Sequence, residues 1–245
     1  MNKIAIIIPS RLGALRLPNK PLELINNKEM ILHVYEAAKK SNTGEVYVAT
    51  PDQKIIDLVK KFGGNAVATS SNHQTGTDRI FEVFKNELNN EPSIIINLQG
   101  DMPNIDPQAI QDLVSYMKED KCDIGTLAGA FSSESELEDK NNVKVAVKEK
   151  LTTNNFGEAT DFFRTTSKTY ENFYHHIGIY AFTNKALVRY VSLKRSKLEI
   201  ERKLEQLRAF ENNMSIHVGY INSSPLSVDT ENDLTEVKKI MENND

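Results

Sequence analysis

The chain has 245 residues, of which 39% are hydrophobic, and 34 Asp and Glu against 30 Lys and Arg give a formal net charge of −4. This length is sufficient for an α/β domain with a sizeable core. The acidic balance argues against sequence-independent binding of nucleic acid, which needs a broad basic face.

The sequence predicts a cytoplasmic protein that has neither nucleic acid nor a membrane as a partner. The apolar run at residues 4–8 is shorter than the roughly 7 to 15 residues of a signal peptide, and Pro9 ends it. No stretch approaches the roughly 20 apolar residues of a membrane span. Cys122 is the only cysteine, so no internal disulfide can form.

The first half of the chain alternates short apolar runs with stretches of helical periodicity. Strands are predicted at residues 4–9, 46–50, 65–69 and 94–98, and helices at residues 30–40, 52–62 and 77–88. Gly63 and Gly64 follow the second helix, where glycine often ends a helix. Strands that alternate with helices of this length indicate crossover units and a parallel sheet covered on both faces.

The pattern changes after about residue 123. Strands are predicted at residues 124–131, 143–148, 173–183 and 215–221, and helices at residues 184–192, 198–211 and 230–242, whereas residues 149–172 are predicted to be irregular. The sequence contains no internal repeat and no flexible linker. We predict a single domain over residues 1–245, with a smaller lobe at about residues 132–212.

Three cations follow the first predicted strand within ten residues. They are Arg11, Arg16 and Lys20, and no acid precedes Glu23. Guanidinium and ammonium groups suit the oxygens of a nucleoside triphosphate, and Gly13 would let the backbone approach the phosphates. A solvated basic loop is the alternative. The position at the carboxyl end of a strand, where parallel sheets bind ligands, favours phosphate binding.

Two familiar nucleotide-binding patterns are missing from the sequence. It contains neither the G-x-x-x-x-G-K-[ST] loop of P-loop proteins nor the G-x-G-x-x-G turn of dinucleotide-binding enzymes. The absence of the G-x-G-x-x-G turn argues against a dinucleotide-dependent oxidoreductase.

Polar residues follow the third and fourth predicted strands as well. In the segment at residues 73–79, Thr77 is predicted to cap a helix, and Gln74 with the backbone around Gly76 could face a base; a capped helix without a ligand is the alternative. Asp101 directly follows a buried strand, where a carboxylate is well placed to hold Mg²⁺ against phosphate. Asp229 is either a second carboxylate for that ion or the start of the last helix.

Six motifs occur in order along the chain. They are R-x4-R-L-P-x-K-P-L at residues 11–22, H-Q-T-G-T-D-R at 73–79, Q-G-D at 99–101, H-I-G-I-Y at 176–180, L-E-Q-L-R at 204–208 and V-D-T at 228–230. Together they resemble the sugar-acid cytidylyltransferase family, and the motif at residues 204–208 points to its branch for 3-deoxy-manno-octulosonate (Kdo). The resemblance extends from residue 4 to about residue 237.

The resemblance implies an α/β fold, specifically a Rossmann-like (GT-A-like) nucleotidyltransferase with a mixed, mostly parallel sheet flanked by helices and a small lobe that forms a homodimer. It implies Mg²⁺-dependent transfer of CMP from CTP to the anomeric hydroxyl of Kdo, which releases pyrophosphate and serves lipopolysaccharide synthesis. In this chain Arg11, Arg16 and Lys20 would grip the phosphates and act with Asp101 in catalysis; Gln74, Thr75 and Gly76 would face the cytosine; Asp101 and Asp229 would hold Mg²⁺; and Gln99, Arg164, His176, Tyr180, Glu205 and Gln206 would bind the sugar acid.

The residues themselves bear on part of this assignment. His175 and His176 are neighbours on a predicted strand and point to opposite faces, whereas Tyr180 shares the parity of His176. Glu205 lies near Glu201 and Arg208 on a predicted helix, so a solvated salt-bridge face is its alternative.

Some positions depart from the family pattern. Ala14 and Leu15 stand where the family usually has Ser and often Thr, Met102 stands where it often has Glu, and Arg164 lacks the usual Ser before it and Ile-Pro after it. Three alternatives therefore stay open: CMP activation of a related acid of the 8-amino-Kdo or sialate type, a glycosyltransferase that releases CMP or UDP, and a nucleotide-binding paralogue with weakened catalysis.

Overall fold

The computed structural model describes residues 3–13, 16–153 and 155–242, and the chain forms two units. Unit 1 comprises residues 1–111 and 225–245, and unit 2 comprises residues 112–224. Ala14 and Leu15, at which the sequence departs from the family pattern, lie outside the described residues.

Unit 1 contains a parallel sheet. Its strands are β1 (Ile4–Pro9), β4 (Glu45–Thr50), β5 (Asn65–Ala68) and β6 (Ile94–Asn97), which lie in the order β5-β4-β1-β6. A separate short hairpin joins β2 (Leu24–Ile25) to β3 (Lys28–Glu29). All of β6 and the first five residues of β1 are buried, as the continuous apolar runs predict for strands covered on both faces.

Helices connect these parallel strands. The connecting helices are α1 (Met30–Lys40), α2 (Gln53–Lys61) and α3 (Gly76–Asn86). Along the chain, α4 (Pro107–Met117) follows β6 and includes the division between the units at residues 111 and 112, and α9 (Glu231–Glu242) lies near the end. Gly63, with a φ of 83°, follows α2 as predicted, in the left-handed region that glycine adopts without strain. Among the described residues, no helix combines the length and apolar character that crossing a membrane requires.

One buried apolar cluster of unit 1 holds together the loop after β1 and the segment before α9. Leu17 comes from the loop, Val228 precedes the helix, and Met30 comes from α1; Ile25, Leu234 and Val237 complete the cluster. Arg16 directly precedes Leu17 in the sequence, and Asp229 directly follows Val228. This packing therefore fixes the backbone that carries these two charged residues.

Unit 2 is built on five strands whose pairings close into a ring. They are β7 (Ile124–Gly129), β8 (Lys144–Val147), β9 (Phe156–Phe163), β10 (Phe173–Thr183) and β11 (Ile216–Ile221). β7 pairs with β10 and β11, β11 with β9, β9 with β8, and β8 with β10; only the pairing of β7 with β11 is parallel. The helices of unit 2 are α5 (Glu134–Glu138), α6 (Asn184–Ser192), α7 (Lys197–Arg202) and α8 (Leu207–Glu211).

Two predictions for unit 2 are wrong. β9 forms within the stretch predicted to be irregular. The sequence pattern did not reveal this strand, because its buried positions include Gly157, Ala159 and Asp161, which give no apolar alternation. The single helix predicted at residues 198–211 is two helices, since Lys203 adopts a left-handed conformation with a φ of 55° that ends α7.

Candidate active site

The carboxyl ends of β1 and β6 border a cavity of about 290 Å³ in unit 1. The loop after β1 contributes Arg11 and Lys20 to its lining, the segment before α3 contributes Gln74, and the loop after β6 contributes Gln99 and Asp101. The structure therefore brings together the three loops that the sequence selected, at the edge where parallel sheets bind ligands.

The cationic loop after β1 is held at several points. The backbone amide of Leu12 donates to Asp52 Oδ2 at 2.8 Å, and the Leu17 side chain is buried in the apolar cluster. Asn19 adopts a left-handed conformation and is followed by a 3₁₀ helix at Lys20–Leu22, in which Pro21 lies in the first turn. These contacts fix the conformation of the loop. The alternative of a freely solvated basic loop is therefore wrong for Lys20.

The Lys20 ammonium lies between two carboxylates. Its Nζ donates to Asp101 Oδ2 at 2.8 Å, to Asp229 Oδ1 at 3.0 Å and to the carbonyl oxygen of Val228 at 2.8 Å. These bonds use all three donors of an ammonium group. Burial by itself would lower the pKa of Lys20, but the two carboxylates outweigh burial and raise that pKa above its ordinary value. Lys20 is therefore a charged group whose donors are all bound to protein oxygens.

The carboxylate of Asp229 faces the cations and does not cap the last helix. Its second oxygen, Oδ2, accepts a hydrogen bond from Arg16 Nη2 at 2.8 Å. The start of α9 is capped by other groups, because Asp233 Oδ2 accepts from the backbone amides of Asp229 and Thr230, and Thr230 Oγ1 accepts from the amide of Asp233. Asp229 therefore takes part in the capped turn before α9 through its backbone amide only, and its carboxylate is not part of the cap.

The start of α3 differs from the prediction. The N-cap is Thr75, whose Oγ1 accepts from the backbone amide of Asp78 at 3.1 Å, and not Thr77. Thr77 is buried and accepts from Asn97 Nδ2 at 3.2 Å, while Asn97 Oδ1 accepts from Gln99 Nε2 at 3.1 Å. This chain of bonds orients the Gln99 amide at the cavity.

Gly76 allows the walls of the cavity to approach one another. A Cβ atom at this position would lie 3.3 Å from Cγ of Pro9 and 3.7 Å from Nε2 of Gln99. A side chain here would therefore crowd Pro9 at the end of β1 and lie in van der Waals contact with the Gln99 amide.

Arg79 lines the cavity but was missing from the predicted site residues. It is only 3% exposed, and its Nη1 donates to Thr69 Oγ1 at 2.5 Å and to the carbonyl oxygen of Ser70 at 3.0 Å. Burial, and then the positive charge of Arg11, lowers the pKa of Arg79 from its ordinary value. The available signal was its position one helical turn after Gly76, which places both residues on one side of α3.

Asp101 and Asp229 fit a divalent cation. One oxygen of each carboxylate lies within 3.0 Å of the same ammonium nitrogen, so both already converge on one positive charge. Mg²⁺ typically takes one or two protein carboxylates and completes its shell with water and phosphate oxygens. The donor type and the convergence of the two carboxylates both match this ion.

Unit 2 brings together two of the residues predicted to bind the sugar acid. The buried His176 has its Nε2 3.0 Å from Thr126 Oγ1, and its ring centroid lies 5.4 Å from that of Tyr180. Burial lowers the pKa of His176 to about 3 and raises the pKa of Tyr180. The neighbouring His175 has different surroundings, with its Nδ1 2.7 Å from Glu136 Oε1, as expected for adjacent positions on a strand.

Glu205 and Gln206 lie in the turn between α7 and α8. The backbone carbonyl oxygen of Glu205 accepts from the Tyr190 hydroxyl at 2.9 Å. The alternative for Glu205 was a solvated salt-bridge face shared with Glu201 and Arg208. Arg208 does not belong to such a face, because it is buried and donates twice to the buried Glu199, at 2.7 and 2.9 Å.

Arg164, whose sequence neighbours depart from the family pattern, and Met102, which itself departs from it, have structural roles. Arg164 Nη1 donates to the backbone carbonyl oxygens of Lys140 and Asn141, so its guanidinium holds the loop before β8. Met102, which follows the catalytic candidate Asp101 in the sequence, is buried in the hydrophobic core.

The fold of the chain is that of the nucleotidyltransferases. A nucleotidyl transferase from Methanothermobacter thermautotroptrophicus matches with a TM-score of 0.64 over 100% of both chains, at 11% identity, a level that shows the fold alone. The family model described as cytidylyltransferase matches residues 5–216. The chain therefore belongs to the cytidylyltransferase family.

Two relatives match nearly the whole chain. A 3-deoxy-manno-octulosonate cytidylyltransferase of Rickettsia canadensis is 41% identical over 242 residues, which are 98% of this chain and 96% of the relative. The solved structure of a CMP:2-keto-3-deoxy-manno-octonic acid synthetase complexed with CTP is 36% identical, has a TM-score of 0.89, and covers 99% of this chain and 100% of its own. The resemblance found in the motifs is confirmed over the full length.

Proposed function

We propose that the protein transfers CMP from CTP to the anomeric hydroxyl of 3-deoxy-D-manno-octulosonate, giving CMP-Kdo and pyrophosphate for lipopolysaccharide synthesis. The observation that carries this proposal is the meeting of Lys20, Asp101 and Asp229 beside the cavity at the carboxyl edge of the sheet. The likeness to a synthetase that binds CTP supports the nucleotide, and the relative from Rickettsia canadensis supports the sugar acid.

The reaction is an in-line displacement at the α-phosphorus. The anomeric oxygen forms a bond to this phosphorus, and the bond from phosphorus to the oxygen that bridges to the β-phosphate breaks. Pyrophosphate leaves with the electron pair, and the hydroxyl proton passes to solvent. Such a transfer needs positioning and charge stabilisation more than a protein nucleophile. Arg11, Arg16 and Lys20 supply positive charge at the phosphates in this proposal.

We also propose Mg²⁺ as the cofactor, held by Asp101 and Asp229. The convergence of the two carboxylates on a single ammonium nitrogen supports this assignment. Held there, Mg²⁺ would supply positive charge beside the phosphates and would favour loss of the hydroxyl proton, so this mechanism invokes no protein general base.

The family resemblance supports Gln99 of unit 1 as a residue that contacts the sugar acid. For unit 2, taken by itself, it supports the same role for Arg164, His176, Tyr180, Glu205 and Gln206. Two of these, His176 and Tyr180, support the assignment because they lie together and burial keeps both uncharged, which suits hydrogen bonds to sugar hydroxyls. Arg164 is the only cation of the set and matches the carboxylate of the acid.

We propose further that the protein acts as a homodimer in the cytoplasm. The family resemblance supports the dimer, and light scattering of the purified protein tests it. Cys122 is the only cysteine and is a buried free thiol, which fits a reducing compartment. Fractionation of the source cells tests the location.

Pyrophosphate release from CTP over a panel of eight- and nine-carbon sugar acids tests the proposed function. We expect release with Kdo in the presence of Mg²⁺, and loss of release with EDTA. A preference for 8-amino-Kdo or a sialate would reassign the substrate. Binding of CTP without pyrophosphate would identify a catalytically weakened paralogue, and release of CMP or UDP from a nucleotide sugar would identify a glycosyltransferase.

A further inference from the structure

The two carboxylates of the candidate metal site already hold a cation that belongs to the chain. Lys20 Nζ lies 2.8 Å from Asp101 Oδ2 and 3.0 Å from Asp229 Oδ1, and its third donor is bound to the carbonyl oxygen of Val228. The side chains of Lys20 and Asp101 are only 15% and 24% exposed, so solvent screens this ion pair weakly, whereas the Asp229 side chain is 41% exposed. In this arrangement the ammonium occupies the position between the two carboxylates.

The charges of this cluster balance without any added ion. Lys20 and Arg16 contribute two positive charges, and Asp101 and Asp229 contribute two negative charges. A divalent cation that entered between the carboxylates would meet the Lys20 ammonium at ion-pair distance. Like charges at this distance disfavour one another strongly in a partly buried site. Binding of the metal thus requires Lys20 to leave the carboxylates.

A bound triphosphate would provide other hydrogen-bond acceptors for the Lys20 ammonium. Lys20 and Asp101 line the same cavity, so phosphate oxygens bound there can accept the hydrogen bonds that the carboxylates now accept. The ammonium keeps a negative partner in both arrangements, and the exchange frees Asp101 and Asp229 for the metal.

We infer that Lys20 is the counter-ion of the two candidate metal ligands, and that it excludes a free divalent cation until a nucleotide draws the ammonium onto its phosphates. The inference rests on the proposed function, because it takes Asp101 and Asp229 as the metal ligands. It makes nucleotide and metal bind cooperatively, and by linkage each must raise the affinity of the other. Lys20 then couples the binding of the nucleotide to the binding of the metal, in addition to its contact with phosphate.

Direct binding of Mn²⁺, followed by electron paramagnetic resonance on the whole chain without sugar acid, tests the inference. Lys20→Met removes the charge and keeps much of the side-chain volume. We expect it to bind free Mn²⁺ about tenfold more tightly than the wild type, the size of effect that a charge at this distance has on the proton affinity of a carboxyl. In the same variant, CTP measured in EDTA should bind at least about tenfold more weakly, since a charged phosphate contact is lost. A structural defect alone would not move the two affinities in opposite directions.

Two further variants make the test specific. Lys20→Arg keeps the positive charge and should bind free Mn²⁺ as weakly as the wild type. Adding Asp101→Asn to Lys20→Met should abolish the gained affinity. The inference is overturned if folded Lys20→Met, checked by its melting temperature, gains no Mn²⁺ affinity, or if the gain survives the loss of Asp101. Failure of the proposed function is a separate result, since it is a wild type that releases no pyrophosphate whatever the Mn²⁺ titrations show.

Discussion

The backbone amide of Val228 donates a hydrogen bond to the carbonyl oxygen of Asp101 at 2.9 Å. This bond joins the loop after β6 to the segment before α9, two parts of unit 1 that are far apart in the chain. Because Val228 is also buried against Leu17, the same packing fixes Asp101, Asp229 and the cationic loop. The backbone hydrogen bond and the core therefore hold the backbones of Asp101 and Asp229 close together, and both side chains reach Lys20 Nζ from there.

Asp101→Asn should reduce turnover at saturating CTP, Kdo and Mg²⁺ by about a hundredfold or more, since loss of a metal ligand removes several kcal/mol of transition-state stabilisation at about 1.4 kcal/mol per factor of ten. Steady-state pyrophosphate release measures the effect. Asp106→Asn is a matched control, because Asp106 is exposed and its Oδ1 accepts from the Gln108 amide, a bond that Asn can keep. Turnover of Asp101→Asn near that of the control would exclude the metal assignment.

Thr75→Ala should raise the KM for CTP, whereas Thr183→Ala should not. Each threonine caps a helix, with Thr75 Oγ1 accepting from Asp78 and Thr183 Oγ1 accepting from Ala186. Each substitution should therefore lower the free energy of unfolding by about 1 kcal/mol. Only Thr75 lines the cavity. Urea unfolding of both variants measures the loss of the cap, and CTP saturation curves measure the loss of the cavity contact. An equal rise in the KM for CTP in Thr75→Ala and Thr183→Ala would show that the cavity contact of Thr75 is unimportant.

Arg208→Ala should destabilise the protein by about 3–5 kcal/mol, because it leaves the carboxylate of Glu199 buried beside an incomplete partner. Glu199 is 1% exposed and also pairs with Arg195, whose side chain is 52% exposed. Arg195→Ala, which removes the exposed partner of the same carboxylate, should cost less than about 1 kcal/mol. Urea unfolding measures both values. Similar losses for the two variants would contradict the burial argument.

The buried His176 should make stability depend on pH. Its pKa is lowered to about 3 by burial, against an ordinary value of 6.5, so the unfolded chain binds the proton more readily than the folded chain between these values. The stabilisation is complete above pH 6.5 and is lost as the pH falls from 6.5 towards 3. At pH 5 this residue should account for a loss of about 2 kcal/mol relative to pH 7.5.

The corresponding measurement is urea unfolding of the wild type and of His176→Gln at both pH values. Gln cannot titrate, so the difference in stability between pH 7.5 and pH 5 should shrink by that amount in the variant. An unchanged difference would show that other groups carry the acid sensitivity.

The elements of unit 1 follow closely from the sequence. β1, α1 and β6 form within two residues of the predicted bounds, because continuous apolar runs and helical spacing are properties of neighbouring residues. β9 did not follow from its pattern, since its buried Asp161 is compensated by Arg202, whose Nη1 donates to Asp161 Oδ1 at 2.6 Å from another part of unit 2. A polar residue becomes a core position only when a distant partner satisfies it.

By itself the sequence determined which charged residues stand at the ends of buried strands, and hence the class of ligand that the edge of the sheet attracts. The tertiary structure alone decided that Lys20 is bound by Asp101 and Asp229, that Thr75 and not Thr77 caps α3, and that the Asp229 carboxylate also pairs with Arg16. Ion pairs and caps depend on the positions of atoms that folding brings together from remote segments. Apolar periodicity is written along the chain, but the partner of a charge is chosen by packing.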